Sequence, residues 1–250
     1  MLQMKEKPRP VAKDHYLLEF EGCGAPSQPG QFVNIRISDQ STPLLRRPFS
    51  IFSHEGNIIT VIIRSVGSGT RLLAGREPGD IDILGPLGRG FTILSNARVL
   101  VAGGGVGNAP LYYLSRKLAE SGCDITFIYG ARSRDYIYLP ERYRSTVSRL
   151  ILSTDDGSEG VKGLVTDIAA GLVGKEHFDM IYTCGPAPMM KALTPIAGNI
   201  PIEASVENYF GCGIGLCSGC TIETSSGRIR ACVDGPVLNG ASINWEAMPD

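Results

Sequence analysis

The chain lacks an excess of either charge: 24 lysines and arginines stand against 25 aspartates and glutamates, leaving a formal net charge of −1 over 250 residues. Its basic residues are scattered rather than gathered in a run, which excludes the electrostatic footprint of a nucleic-acid surface, and there is no acidic tail. Long apolar runs are missing as well. No stretch reaches the roughly 18 uninterrupted apolar residues of a membrane span, and the opening MLQMKEKPRP is charged and prolyl with no apolar centre, so a soluble cytoplasmic protein is expected. Internal repeats and low-complexity linkers are absent too. The seven cysteines are an odd number with four in the last fifth of the chain, a poor pattern for a secreted disulfide framework. A chain this long forms a core without disulfides. Reduced thiols or thiolate ligands therefore fit the cysteines better.

Glycine, by contrast, is abundant, and the 31 glycines cluster at 85–90, 103–107 and 211–219, which marks close approach of backbone to ligands. The densest chemistry is YFGCGIGLCSGC, residues 209–220. Cys212, Cys217 and Cys220 stand as C-x4-C-x2-C, and Cys232 follows after an interval of eleven residues. That spacing is the plant-type ligand pattern for a two-iron, two-sulfur cluster. A loop around inorganic sulfide must bring N–H groups in from several sides and tolerate positive φ, which Gly211, Gly213, Gly215 and Gly219 permit. Ser225-Ser226-Gly227 can turn the chain so that Cys232 returns as a fourth ligand. Four thiolates also suit zinc, but structural zinc sites usually pair two C-x2-4-C knuckles, and only one Cys-x-x-Cys is present. Haem attachment fails because Thr221, not His, follows Cys220.

The preceding residues change period near residue 96. Before it, QFVNIRI and DIDIL alternate apolar with polar residues between Pro-Gly and Gly-Asn turns, with Asn34, Arg36, Asp80 and Asp82 as the polar partners, the pattern of an antiparallel barrel over 1–95. After it, RVLVAG, DITFIYG, RLILST and DMIYTCG read as buried parallel strands. Helix-length segments lie between them, giving a doubly wound α/β unit over 96–202. Regularity stops beyond Pro201, and 203–250 belongs to the cysteine loop.

Each upstream unit carries residues suited to nucleotides. In RVLVAGGGVGNAPL, Gly103, Gly104, Gly105 and Gly107 join a strand to a helix, the geometry that presents backbone N–H groups to a pyrophosphate. The G-x-G-x-x-G match is imperfect, with Asn108 or Pro110 in the third place. No acidic residue ends the second strand, where YGARSR offers arginines. Arg132 or Arg134 can equally neutralise a 2′-phosphate, so NAD versus NADP stays open. CGPAPMM, 184–190, reads by itself as a buried cysteine at a strand end with proline starting a helix. In RRPFSI, 46–51, Arg47 and Phe49 share a strand face and suit a phosphate and a flat ring, and the Gly-Ser-Gly-Thr turn of IIRSVGSGT offers amides and a hydroxyl.

Taken together, the Arg-x-aromatic-Ser strand, the glycine-rich turn about twenty residues on, the glycine-rich strand–helix turn and the Cys-Gly-Pro resemble the ferredoxin–NADP reductase superfamily. With the cysteine loop added, residues 10–240 resemble the electron-transfer subunits of NAD-dependent (class B) dihydroorotate dehydrogenases. The resemblance implies that Arg47, Pro48, Phe49 and Ser50 hold FAD, with Arg47 on phosphate and Ser50 near the reactive flavin edge, and that Ile62, Ile63, Arg64, Gly69 and Thr70 complete that site. It implies that Gly103, Gly104, Gly105, Gly107, Cys184, Gly185 and Pro186 receive NAD, with Cys184 near the nicotinamide, and that Cys212, Cys217, Cys220 and Cys232 ligate a 2Fe-2S cluster. The implied partner is an FMN-containing catalytic subunit that oxidises dihydroorotate, in a heterotetramer with two copies of each chain, and Ile214 and Leu216 are expected at its docking face. Other readings are a diaphorase subunit serving an NAD(P)H-linked ferredoxin, sulfide or hydrogenase oxidoreductase, and a redox sensor without turnover. No general base is named: His15, His54 and His177 have no partner motif and read as surface or turn residues, and Cys23 and Cys123 as inert small ones.

Overall fold

In the computed structural model, which describes residues 1–38 and 43–248, the first unit is an antiparallel sheet. Its strands are β1 (Leu2–Met4), β2 (Arg9–Ala12), β3 (His15–Glu21), β4 (Phe32–Ile35), β5 (Arg47–Glu55), β6 (Ile58–Arg64), β7 (Gly79–Ile81) and β8 (Ile83–Leu87), with helix α1 (Ser68–Ala74) after β6. They run in the order β7-β1-β3-β6-β5-β4-β8, with β2 beside β3. The two end strands are separated in sequence by Asp82 alone, so the sheet curls into a nearly closed barrel and its edges are short. DIDIL is therefore two strands, not one. Arg46 donates to both the carbonyl and the carboxylate of Asp82, holding the chain where it crosses from one edge to the other. Period-two residues such as Leu18, Phe20, Ile59, Val61 and Ile63 fill the barrel. On β4 the alternation fails. Asn34 is 0% exposed because the backbone of Cys212 covers it, and its Nδ2 donates to the Cys212 carbonyl at 3.2 Å.

The second unit holds β9 (Arg98–Gly104), β10 (Asp124–Ala131), β11 (Arg149–Thr154), β12 (Val161–Lys162), β13 (Met180–Cys184) and β14 (Ile202–Ser205). Its helices are α2 (Asn108–Glu120), α3 (Pro140–Arg144), α4 (Val165–Val173) and α5 (Ala187–Ala197). These six strands are parallel and ordered β12-β11-β10-β9-β13-β14. The chain thus builds outward from β9 to one side and then returns to build on the other. The carboxyl ends of β9 and β13 flank the switch point, where sheets of this kind open a ligand crevice. Helix α2 also faces the barrel: Phe52 stacks on Tyr112 with centroids 4.4 Å apart, and the Tyr113 hydroxyl donates to the Ser27 carbonyl at 3.0 Å. This packing holds one wall of each unit against the other.

The C-terminal residues contain a hairpin of β15 (Thr221–Thr224) and β16 (Gly227–Arg230), the short helix α6 (Ala231–Asp234) and strand β17 (Val237–Asn239). Elements of three or four residues are too short to show a period, which is why regularity vanished from the sequence there. The hairpin turns at Ser225-Ser226 as expected. Strand β17 pairs antiparallel with β14, so this segment leaves the α/β sheet and rejoins it. Among the described residues, no helix is long and apolar enough to cross a membrane.

Candidate cofactor sites

The cysteine loop is shaped by its glycines and tied down by its sulfurs. Gly213 and Gly215 have φ of 76° and 82°, and a Cβ on either would lie 2.7 Å from an atom of Asn34 or Val233, so only glycine serves. The Cys212 Sγ accepts from the N–H groups of Leu216 (3.3 Å) and Cys217 (3.4 Å), and the Cys220 Sγ accepts from the Cys232 N–H (3.4 Å). The N–H of Cys217, aided by that of Ile214, lowers the Cys212 thiol to about 6. Burial, aided by the neighbouring Cys220 thiol, pushes Cys232 up to about 12. Cys212 interacts most directly with Cys217 and Cys232 with Cys220, and a weaker interaction joins Cys232 to Cys212. Among the described residues no three of His, Cys, Asp and Glu converge as one mononuclear ion would need. Soft donors in two pairs, with N–H groups already aimed at sulfur, suit two irons bridged by sulfide.

Beside the loop lies a cavity of about 410 Å³ walled by Arg47, Pro48, Phe49 and Ser50 of β5, by Ile62 and Arg64 of β6, and by Thr70. The Arg47 side chain lies across α1 beside Gly69, within ordinary contact distance of it. The Thr70 Oγ1 accepts from the Val66 and Gly67 N–H groups, both at 3.0 Å, and so fixes the turn. The Ile63 side chain, one step out of phase with Ile62, belongs to the barrel core instead. The opposite wall was not anticipated: Ser205 ends β14, and Glu207, Asn208 and Phe210 follow it. Their position after a strand of an α/β sheet was the available signal. Glu207 borders the cavity with part of its surface exposed, and desolvation by the nearby walls raises its carboxyl. A flat ring against Phe49 with phosphate toward Arg47 fits these walls.

A second cavity, about 420 Å³, opens at the switch point. Gly104, Gly105 and Pro186 line it, whereas Gly103 and Gly107 serve packing. A Cβ on Gly103 would meet Asn108 Oδ1 at 2.1 Å, and one on Gly107 would meet the Cys184 carbonyl oxygen at 2.5 Å. Asn108, the misfit in the glycine motif, donates to the carbonyls of Gly105 (2.8 Å) and Gly130 (3.1 Å) and so ties the turn to β10. Cys184 and Gly185 lie behind this lining, and burial pushes the Cys184 thiol up. Arg132 lines the cavity and Arg134 does not. The acidic residue missing after the second strand is supplied after the third: Asp155 lines the same cavity, and its N–H donates to the Ala131 carbonyl at 3.2 Å. His15, read as a surface or turn residue, is 1% exposed and also lines it. Arg64 borders both cavities.

A barrel with an Arg-x-Phe-Ser strand, a parallel sheet with a glycine-rich turn and a loop of paired thiols define a flavin- and pyridine-nucleotide-linked oxidoreductase that carries an iron–sulfur cluster. Comparison with known proteins narrows the class. The profile of the iron-sulfur cluster binding domain of dihydroorotate dehydrogenase B matches residues 207–244, and that of the oxidoreductase NAD-binding domain matches 100–194. The dihydroorotate dehydrogenase B (NAD(+)) electron transfer subunit of Desulforamulus reducens is 38% identical, covering 94% of this chain and 95% of its own. Its counterpart in Shouchella clausii is 39% identical over 93% of each. The chain belongs to this family of electron transfer subunits. Among solved structures, a chain of an NADH-dependent reduced ferredoxin–NADP oxidoreductase, studied for flavin-based electron bifurcation, superposes with a TM-score of 0.89 at 33% identity, covering 98% of this chain and 91% of that one.

Proposed function

We propose that this chain is the electron-transfer half of an NAD-dependent dihydroorotate dehydrogenase of pyrimidine biosynthesis, linking an FMN-containing catalytic subunit to NAD+. When bound, FAD converts between the hydride chemistry of a nicotinamide and the one-electron chemistry of a cluster. The chain's own work is placement. Residues 1–95 hold FAD through Arg47, Pro48, Phe49, Ser50, Ile62, Arg64 and Thr70, with Ile63 in the barrel core behind that wall and Gly69 on α1 beside Arg47. Residues 96–202 receive NAD at Gly104, Gly105 and Pro186, with Gly103, Gly107, Cys184 and Gly185 packed behind them. Residues 203–250 hold the cluster by Cys212, Cys217, Cys220 and Cys232. The observation that carries the reading is that Asn34, a residue of the flavin barrel, hydrogen-bonds the backbone of Cys212, so the first cluster thiol is fixed directly to the barrel.

The partner docks on the outer side of the same loop, where Tyr209, Ile214 and Leu216 are 74%, 46% and 80% exposed and apolar groups await cover. The assembly is a cytoplasmic heterotetramer of two copies of each subunit. Anaerobic capture of the complex from its own cells is expected to yield dihydroorotate-dependent reduction of NAD+. Alanine at Ile214 and Leu216 is expected to weaken capture of the catalytic subunit at least tenfold, and unchanged capture would remove that face. A complex with flavin and iron–sulfur absorbance that oxidises NADH but ignores dihydroorotate would move the chain to the second reading, a diaphorase subunit linked to ferredoxin, sulfide or hydrogenase. The 33% identity to the ferredoxin-linked structure is what favours that second reading.

A further inference from the structure

His15 opens β3 and packs across the junction of the barrel and the α/β unit. Its ring lies 5.3 Å from that of Tyr138 and 6.2 Å, edge-on, from that of Tyr136. Nδ1 stands 2.7 Å from the Lys13 carbonyl. A carbonyl only accepts, so Nδ1 carries the proton, and a neutral ring then leaves Nε2 as a bare lone pair. Burial favours that neutral ring, and the nearby Arg64 charge adds to the effect. Nε2 is buried and has no hydrogen-bond partner. An unpaired buried acceptor is costly, and a histidine kept only for packing gains nothing from it.

A second orphan sits beside the first. The Arg64 Nε is also buried without a partner, and the guanidinium lies 5.7 Å from the centre of the Tyr136 ring. His15, Arg64 and Tyr136 all line the 420 Å³ cavity at its barrel side. Residues that carry an unpaired acceptor, a cation with an unpaired N–H and an aromatic ring therefore border one space. A flat heterocycle bearing an amino group, attached to sugar and phosphate, satisfies all three at once.

We propose that His15 Nε2 accepts a hydrogen bond from the adenine amino group of a bound dinucleotide, with Arg64 donating to the same adenosine's ribose or phosphate. The site rests on the cofactor assignment above and adds a specificity residue to it. FAD and NAD share this adenosine chemistry, and the test separates them. The full chain, freed of flavin, is titrated with FAD, FMN, NAD+, ADP and IDP, which carries an oxo group in place of the amino group. His15→Phe keeps an aromatic ring but removes the acceptor, and His15→Gln retains an acceptor.

If the adenosine is that of FAD, His15→Phe weakens FAD about tenfold while FMN and NAD+ are unchanged; if it is that of NAD, NAD+ and ADP weaken instead and FAD is unchanged. About tenfold corresponds to one neutral hydrogen bond. In either case His15→Gln recovers most of the loss, and for the NAD site the wild-type preference for ADP over IDP disappears in His15→Phe. Affinities within twofold of wild type for every ligand would overturn the site while leaving the proposed function standing, and so would equal weakening of FAD and FMN. Wild-type protein that binds neither FAD nor NAD+ would overturn both.

Discussion

The two pairs of thiols in the cysteine loop sit in opposite environments. Cys212 and Cys217 are partly or fully exposed on a loop held by backbone N–H groups. Cys220 and Cys232 are 1% and 2% exposed within a core that also holds Phe210, Ile222, Ala231 and Ile243. One pair is thus arranged by the loop for ligation, while the other is part of what folds the segment. The difference shows how a polar, anionic group can be half embedded: soft thiols behave as small apolar side chains until they ionise. Whatever bridges the pairs spans from interior to exposed loop.

The largest expected effect comes from breaking the inner pair. Cys232→Ser is expected to abolish cluster absorbance and also to cost the cluster-free chain about 1–3 kcal/mol in denaturant melts, since a more polar hydroxyl replaces a thiol within an apolar core. Cys217→Ser is expected to lose the cluster while the cluster-free chain melts within about 0.5 kcal/mol of wild type, as exposed substitutions do. Equal melting of the two variants would erase the contrast.

Alkylation sharpens the same comparison. In cluster-free protein, Cys212 is depressed and ionises as pH rises through about 6, so its iodoacetamide rate is expected to be half-maximal near there and to fall below it. Cys232 is elevated to about 12 and is expected to stay unmodified at pH 8 in folded protein. Mass spectrometry finding both labelled at one rate would show that burial does not separate them. The smallest effect on the cluster is expected at Asn34→Ala, which removes the hydrogen bond between barrel and loop at a stability cost of about 1 kcal/mol. Its signature is a broadened cluster spectrum with flavin binding intact.

The cluster loop could be read from its spacing because its chemistry sits within one short stretch, whereas the Arg47–Ser50 strand suggested a flavin only through its resemblance to a known family, and the structure places it on a cavity wall. The parallel strands were legible for a similar reason: RLILST is β11 residue for residue. Asp155, Glu207 and His15 were not, since each stands at the end of a different strand and only the sheet order brings them to a cavity. Reading His15 as a surface or turn residue followed from the lack of a partner motif around it, since nothing in the neighbouring sequence announces Tyr136 and Tyr138. Asn34 was assigned outward because alternation presumes solvent on the second face, and the Cys212 backbone stands there instead.

Because the segment after β14 returns as β17 to the neighbouring position in the same sheet, both of its ends are tethered to one rigid surface. The cluster-bearing stretch is an inserted handle, not an appended bead. A single cut within it would leave two fragments still gripped by the sheet. Transplanting it onto another scaffold would require two junctions in register, and any rotation of the nucleotide unit carries the handle with it.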